Sequence, residues 1–252
     1  MSKDAGWWHE FFVTFRPVFD IIPARSTNAQ VRFIIEKLQV RPGHSFLDCP
    51  CGIGRIAIPL AQKGIRVTGV DITASYLDEM TRRASRRKVT VTAIQADMRR
   101  IRIHNAFHAA ANMWTSFGFF EKESDNLLVL KKVHKALRPG GKFLLHLINR
   151  DYIISDFRER LWFAAGDVKV LNTNHMDYAT SIMTTDWHFI EKGKETSHRI
   201  TLRLYLYHEL AAMFRQVGFV DVEGYGSTKG EPVGPDRHFI YIIGTKPGWH
   251  GR

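Results

Sequence analysis

Three carboxylates stand at comparable places in the chain: Asp48, Asp71 and Asp97 each close a short apolar run. The first is followed by Cys49-Pro50-Cys51-Gly52-Ile53-Gly54-Arg55-Ile56-Ala57. Gly52 and Gly54 let the backbone turn sharply and approach a ligand with no Cβ in the way. A helix starting there aims free N–H groups into the same space. Gly52-x-Gly54-x-x-Ala57 fits the dinucleotide pattern G-x-G-x-x-G/A, which has little specificity on its own. The acid before the turn discriminates, because a carboxylate there repels a pyrophosphate and attracts a cation. Asp71 follows the glycines by about the twenty residues expected of a ribose-binding acid, which accepts from both hydroxyls. A helix N-cap is the other role open to Asp71, and a loop cap the other role open to Asp97.

The stretch Leu47-Asp48-Cys49-Pro50-Cys51-Gly52-Ile53-Gly54-Arg55 resembles motif I of the class I S-adenosylmethionine-dependent methyltransferases, whose cofactor carries an ammonium and a sulfonium. Asn112-Met-Trp-Thr-Ser-Phe-Gly-Phe-Phe120 is similar to the N-x-x-x-S-F-G-Y-F segment of a subgroup of small methyltransferases. Pro139-Gly140-Gly141 before an apolar run is a further hallmark. The resemblance is close over about Arg41–Arg150 and looser over about Thr201–Lys246. It implies S-adenosylmethionine as cofactor, held by Asp48, Cys49, Pro50, Gly52, Gly54, Asp71, Ile72, Ala96, Asp97, Met98, Asn112 and Met113. Asp97 takes the place of the acid that accepts from the adenine amino group, and Met98 gives the ring an apolar face. It implies methyl transfer to a small-molecule acceptor by in-line displacement.

Around the acceptor we expect Trp114, Phe117, Asn149, Arg150, Arg203 and Tyr205, with Phe119 completing an aromatic wall. His146 stands where the family often has an acid in its fifth strand. It is the candidate proton acceptor, simple packing being the other reading. Arg99, Arg100, Arg102, Arg150 and Arg203 decide the acceptor's charge. If two or more converge on the mouth, a carboxylate or phosphate is expected, because guanidinium forks bind such groups in pairs.

These side chains need a scaffold of alternating strands and helices. Apolar runs predict strands at Ser45–Cys49, Arg66–Val70, Val89–Gln95, Phe107–Met113 and Lys142–Leu147. Helices are predicted at Arg55–Lys63, Ile72–Ser85 and Glu123–Leu137. Ahead of them, Trp7, Trp8, Phe11, Phe12, Phe15 and Phe19 recur at helical spacing up to about Pro17. This helix is either a lid over the cofactor or a packed stripe. A second helix, capped by Ser26, Thr27 or Asn28, runs to about Leu38. After a short helix at Tyr152–Arg160, three extended runs follow, at Val168–Asp177, Ser181–Ile190 and Ser197–Leu206, with turn chemistry assigned to Gly193 and Asn172–Asn174. Leu210–Val217 is the last helix. Strands from Gly218-Phe219 to about Glu223 and at Phe239–Thr245 have no helix between them, so they pair as a hairpin. The expected fold is therefore α/β: a Rossmann-like, seven-stranded, mostly parallel sheet with a reversed last strand, plus an inserted antiparallel sheet. Residues 1–40 form the lid, 41–150 the cofactor-binding core, 151–206 the cap and 207–252 the end of the core.

The chain has 252 residues and a net charge of +11, which raises RNA as an alternative substrate. The densest basic run, Arg82–Lys88, ends a helix on the side of the sheet away from the ligand. That reads as a solvated, dipole-favoured face and makes nucleic acid the less favoured partner. An NAD-dependent oxidoreductase is a weaker alternative, opposed by Asp48, Asp97 and the terminal hairpin. Two cysteines give no disulfide framework, and Cys49-x-Cys51 lacks the further ligands zinc needs, so no metal is expected. No apolar run reaches membrane-spanning length and the first residues lack a signal-peptide layout. A cytoplasmic enzyme acting on a small molecule is the resulting expectation.

Overall fold

The computed structural model describes residues 7–248. It opens with α1 (Trp7–Phe15), which gives way to a 3-10 turn over Arg16–Phe19. Pro17 lacks the N–H that would continue the helix. The next helix, α2, spans Ala24–Lys37 and starts directly after Pro23, so Ser26, Thr27 and Asn28 lie inside it and do not cap it. Its Phe33 and Ile34 are buried in the main core. The second half of the expected lid is thus a core helix.

A strand–helix alternation follows: β1 (Ser45–Asp48), α3 (Ala57–Ala61), β2 (Arg66–Asp71), α4 (Ala74–Arg86), β3 (Thr92–Gln95), β4 (Phe107–Asn112), α5 (Glu123–Ala136) and β5 (Leu137–Ile148). The helix α3 is shorter than its apolar pattern because residues 52–56 are spent on the turn. Within β5 the register to β4 jumps from Leu137 to Lys142, so the intervening Arg-Pro-Gly-Gly loops out. A short helix, α6 (Arg150–Ser155), leads into β6 (Arg160–Ala165), β7 (Val168–Asp177), β8 (Ile182–Glu191) and β9 (Lys194–Arg203). The chain closes with α7 (Tyr207–Gln216), β10 (Val220–Tyr225) and β11 (Phe239–Thr245).

The large sheet has the order β10-β11-β5-β4-β1-β2-β3. The pairs from β5 through β3 are parallel, and β11 runs antiparallel to both β5 and β10. Both faces are covered by helices, which is why β1, β4 and β5 read as continuous apolar runs. Phe46 faces the α2–α3–α4 side and Leu47 the α5–α7 side, both fully buried. The crossovers from β1 leave on opposite sides of it, so a crevice opens above the carboxyl ends of β1 and β4.

The second sheet is the antiparallel meander β6-β7-β8-β9. It has one strand more than the sequence pattern predicted, because β6 lies where a helix was expected to end. Lys192 and Gly193 both have positive φ, 49° and 78°, and close β8 onto β9 as a two-residue hairpin. Asn172–Asn174 is not a turn. It lies mid-strand in β7, where Asn172 and Asn174 point inward. Asn174 Oδ1 accepts from Thr185 Oγ1 at 2.8 Å, and its amide donates to the Arg158 carbonyl at 2.9 Å. The turn instead follows Asp177, whose carboxylate accepts from the Ala179 N–H.

Candidate active site

A cavity of about 420 Å³ lies above the carboxyl ends of the large sheet and beneath the second sheet. Its floor is the glycine turn and the strand-end acids. Gly52 has φ of 53°, and its N–H donates to Asp71 Oδ2 at 2.8 Å. The other Asp71 oxygen accepts from the Thr73 N–H at 2.9 Å, just ahead of α4. Asp71 thus ties the turn to the next helix while its edge remains on the cavity. Burial pushes its carboxyl up, partly offset by the bonds from Thr73 and Gly52. Asp48 is fully buried, and one of its oxygens has no partner among the described residues. Burial pushes its carboxyl up to about 7, against the pull of the Arg55 guanidinium. Arg55 is partly buried beside it, donating to Gln30 Oε1 at 2.6 Å and Thr27 Oγ1 at 3.1 Å. Asp97 accepts from the Arg99 N–H at 2.8 Å and from its guanidinium at 2.7 Å. Burial raises the Asp97 carboxyl, but these bonds outweigh it and hold it below the usual range.

Beyond β4 the backbone is strained. Trp114 and Thr115 both have positive φ, 66° and 57°, a conformation that non-glycine residues hold only when their surroundings impose it. Here His146 imposes it. Its Nδ1 accepts from the Trp114 N–H at 2.9 Å, and its carbonyl accepts from the Thr115 N–H at 3.0 Å. Thr115 Oγ1 in turn accepts from the Ile148 N–H at 2.9 Å. The loop is then stitched to the second sheet: Arg203 N–H donates to the Gly118 carbonyl at 2.9 Å. A Cβ on Gly118 would sit 2.5 Å from the Arg203 carbonyl oxygen, so only glycine allows this approach.

The roof is α1 with the second sheet. Phe19 lies over Gly52 and packs on Trp114 and Tyr76 at 5.1 and 5.4 Å between ring centres. Phe11 and Phe15 meet Trp187 of β8 at 5.8 and 5.4 Å. Polar latches hold the helix on two sides. Arg16 donates through two nitrogens to Glu79 of α4, each at 2.6 Å, and Tyr76 donates to the Phe12 carbonyl. On the other side Thr14 Oγ1 and His198 Nε2 lie 3.1 Å apart.

Residues 46–141 match the family model described as a methyltransferase domain. Over this segment the chain is similar to a methyltransferase domain. Curated relatives include the ubiquinone biosynthesis O-methyltransferase of Vibrio cholerae, 28% identical over 152 residues, which are 58% of this chain and 57% of that protein. Another is an S-adenosyl-L-methionine-dependent Diels-Alderase of Talaromyces variabilis, 32% identical over 118 residues, 45% of this chain and 39% of that one. The chain thus spans 39–60% of the length of the curated relatives it matches. Among solved structures, an S-adenosylmethionine-dependent methyltransferase from Clostridium acetobutylicum superposes with a TM-score of 0.79. It is 15% identical over 96% of this chain and 100% of that one, so it shares the fold.

Within the matched segment, Asp48, Cys49, Pro50, Gly52, Asp71, Ile72, Ala96, Asp97, Met98 and Met113 all line the cavity, as does Trp114. Two expected cofactor residues do not. Gly54 turns into the core, where a Cβ would lie 2.6 Å from Met80 Cγ. Asn112 is wholly buried behind Met98, with its amide 3.9 Å from the sulfur.

The expected acceptor residues need more correction. Phe117 is buried against Tyr205, whose hydroxyl donates to Glu123 at 3.0 Å. Asn149 caps α6 and donates to the Gly234 and Arg237 carbonyls. Arg150 is bonded to Ser181, and Arg203 to Glu209. They form a layer behind the wall that fixes the loops in place. His146 is not a proton acceptor for the cavity. It does not line it, its Nδ1 lone pair is occupied by Trp114, and Nε2 therefore carries the proton. Burial lowers its pKa to about 3.

The five arginines do not converge either. Arg99 is spent on Asp97 and Asp125, Arg100 and Arg102 are exposed, and none of the five lines the cavity. The condition set for an anionic acceptor is therefore not met. Sequence reasoning missed Arg55, Tyr76, Met183, Thr185, Trp187, Ile200, Leu202, His238 and Phe239 in the lining. The signal for the inserted strands was their alternation, whose inward positions at residues 183, 185 and 187 share one face. Trp8 also lines the cavity, whereas the side chain of Trp7 lies outside the described residues.

Proposed function

We propose that this protein transfers the methyl group of S-adenosylmethionine to a small-molecule acceptor by in-line displacement. The observation that carries the reading is the Asp48 oxygen that has no partner among the described residues, fully buried at the edge of the cavity beside the glycine turn. A buried acceptor without a donor costs about 1–3 kcal/mol, and an ammonium supplies the donor and the charge it lacks. The same floor carries Asp71 for ribose hydroxyls and Asp97 with Met98 for a purine. When bound, the cofactor supplies an electrophilic methyl on a sulfonium, a good leaving group.

The protein's part is alignment and exclusion of water. The strained Trp114–Thr115 turn fixes the wall next to the methyl position, and α1 with Phe15 and Phe19 closes the roof. The names of the relatives support a small acceptor. A Diels-Alderase among them makes methyl transfer itself, and not cofactor binding alone, the activity to be measured. The antiparallel β10–β11 pair supports this reading over a nicotinamide oxidoreductase, whose final strands need a crossover helix.

Calorimetry tests the cofactor. We expect S-adenosylhomocysteine to bind and NADH not to bind. Asp71→Ala should weaken the former by about 1.5–3 kcal/mol, the scale of hydrogen bonds to a charged acceptor. Tight NADH binding without S-adenosylhomocysteine binding would end the proposal.

A further inference from the structure

The acceptor end of the cavity has a chemistry of its own. Its walls are Phe11, Phe15, Phe119, Met183, Trp187 and Leu202. No lysine or glutamate lines the cavity among the described residues, and its one guanidinium, Arg55, is at the cofactor end with Gln30 and Asp48. The nearby hydroxyls are each hydrogen-bonded within the protein: Thr185 donates to Asn174, Ser116 donates to the Met113 carbonyl, and Thr115 accepts from Ile148.

His238, immediately ahead of β11, differs from them. It lines the cavity while staying exposed on one side, at the mouth. Its ring is held by Phe239 and by Tyr152 of α6, each 4.5 Å away between ring centres. Neither ring nitrogen has a hydrogen-bond partner among the described residues. The groups facing it are the Tyr152 ring from α6 and His146 from β5. Neighbouring Arg237 is engaged with Glu231 and Asp236. Partial burial lowers the pKa of His238, so the ring is neutral and can accept.

The other titratable groups of the lining are excluded. Burial raises the thiols of Cys49 and Cys51 and the Tyr76 phenol, and the acids lie on the cofactor floor. We propose that the acceptor is an uncharged, ring-bearing small molecule that presents its accepting hydroxyl or amine to His238. This rests on the methyl-transfer reading above. As the accepting oxygen or nitrogen bonds to the methyl carbon, the carbon–sulfur bond breaks and its electron pair stays on sulfur, leaving a neutral thioether. The acceptor's proton passes to an imidazole nitrogen of His238 and from there to water at the mouth.

The test is calorimetry on the whole protein. S-adenosylhomocysteine is titrated first, and its failure to bind would sink the methyl-transfer reading itself. On the loaded protein, 1-naphthol, 1-naphthoate and 1-naphthylmethylammonium are then compared. We expect 1-naphthol to bind at least about ten-fold tighter than either ion, the penalty for an unpaired charge in an apolar site being larger than that. His238→Ala should weaken 1-naphthol about 3–10-fold, the worth of one hydrogen bond, with S-adenosylhomocysteine unaffected. His238→Asn, which keeps an acceptor, should recover part of the loss. Met183→Lys should abolish 1-naphthol binding alone. Equal or tighter binding of either ion, no binding of 1-naphthol, or indifference to His238→Ala would overturn the proposal while leaving the cofactor reading intact.

Discussion

The two ends of the cavity are built by different rules. The cofactor end is polar and local: three acids at consecutive strand ends and a glycine turn, all within residues 48–98. The acceptor end is apolar and assembled from afar: α1, the loop after β4, two strands of the inserted sheet and the start of β11. A cofactor that is always the same can be held by residues tied to one strand order. An acceptor site has to be changeable without disturbing that floor, so it is made of parts that the large sheet does not need. His146 is the joint between the two, since it fixes the strained turn from which both walls start.

That contrast can be broken most severely at the joint. His146→Ala removes a buried ring and leaves the Trp114 N–H without its acceptor. We expect a loss of about 3–5 kcal/mol in denaturant unfolding. A variant of near-normal stability would show that the strained turn holds itself. Folding keeps His146 neutral down to about pH 3, whereas the unfolded chain takes up the proton near pH 6.5. Its contribution is therefore present above about pH 6.5 and falls as the pH drops toward 3.

Asp48 sharpens the comparison with the opposite sign. Its folded pKa of about 7 lies above the ordinary value, so the folded state holds a proton that the unfolded chain has released. Stability is lost as the pH rises through about 7. Asp48→Asn should make the ligand-free protein more stable at pH 8 by about 2–4 kcal/mol. The gain should shrink toward pH 4, and S-adenosylhomocysteine should bind far more weakly. Thermal scans across pH, set beside calorimetry, read both effects. A variant less stable at pH 8 would mean that Asp48 is satisfied in the folded protein.

The smallest effect is expected at the roof. Arg16→Ala cuts the Glu79 latch at a partly exposed site, so stability should fall by about 1 kcal/mol at most. Release of S-adenosylhomocysteine, followed by stopped flow, should be several-fold faster. An unchanged release rate would mean that the roof does not gate the cofactor.

The cofactor end was legible in the sequence because its signals are local. An apolar run, an acid at its end and glycines behind it are contiguous, and Asp48, Asp71 and Asp97 fell where those runs stop. The acceptor end was not legible, because what decides it is tertiary. Arg99 faces Asp97 and Asp125, and Arg203 faces Glu209, partners that spacing does not reveal. Asn172 and Asn174 look like turn residues until Thr185 and the Arg158 carbonyl are seen to satisfy Asn174 inside a sheet. A strand-end histidine has the same position in the chain whether it serves as a base or props a turn. Only the lone pair given to Trp114 separates the two.

Helix α1 belongs to both ends at once. Phe19, in the 3-10 turn that follows it, lies on the glycine turn, its Phe11 and Phe15 lie on Trp187, and the latches of Arg16 and Thr14 reach α4 on one side and β9 on the other. A wall shared by two ligands makes their affinities interdependent. The coupling is reciprocal by thermodynamic necessity: whatever factor the cofactor adds to the acceptor's affinity, the acceptor adds to the cofactor's.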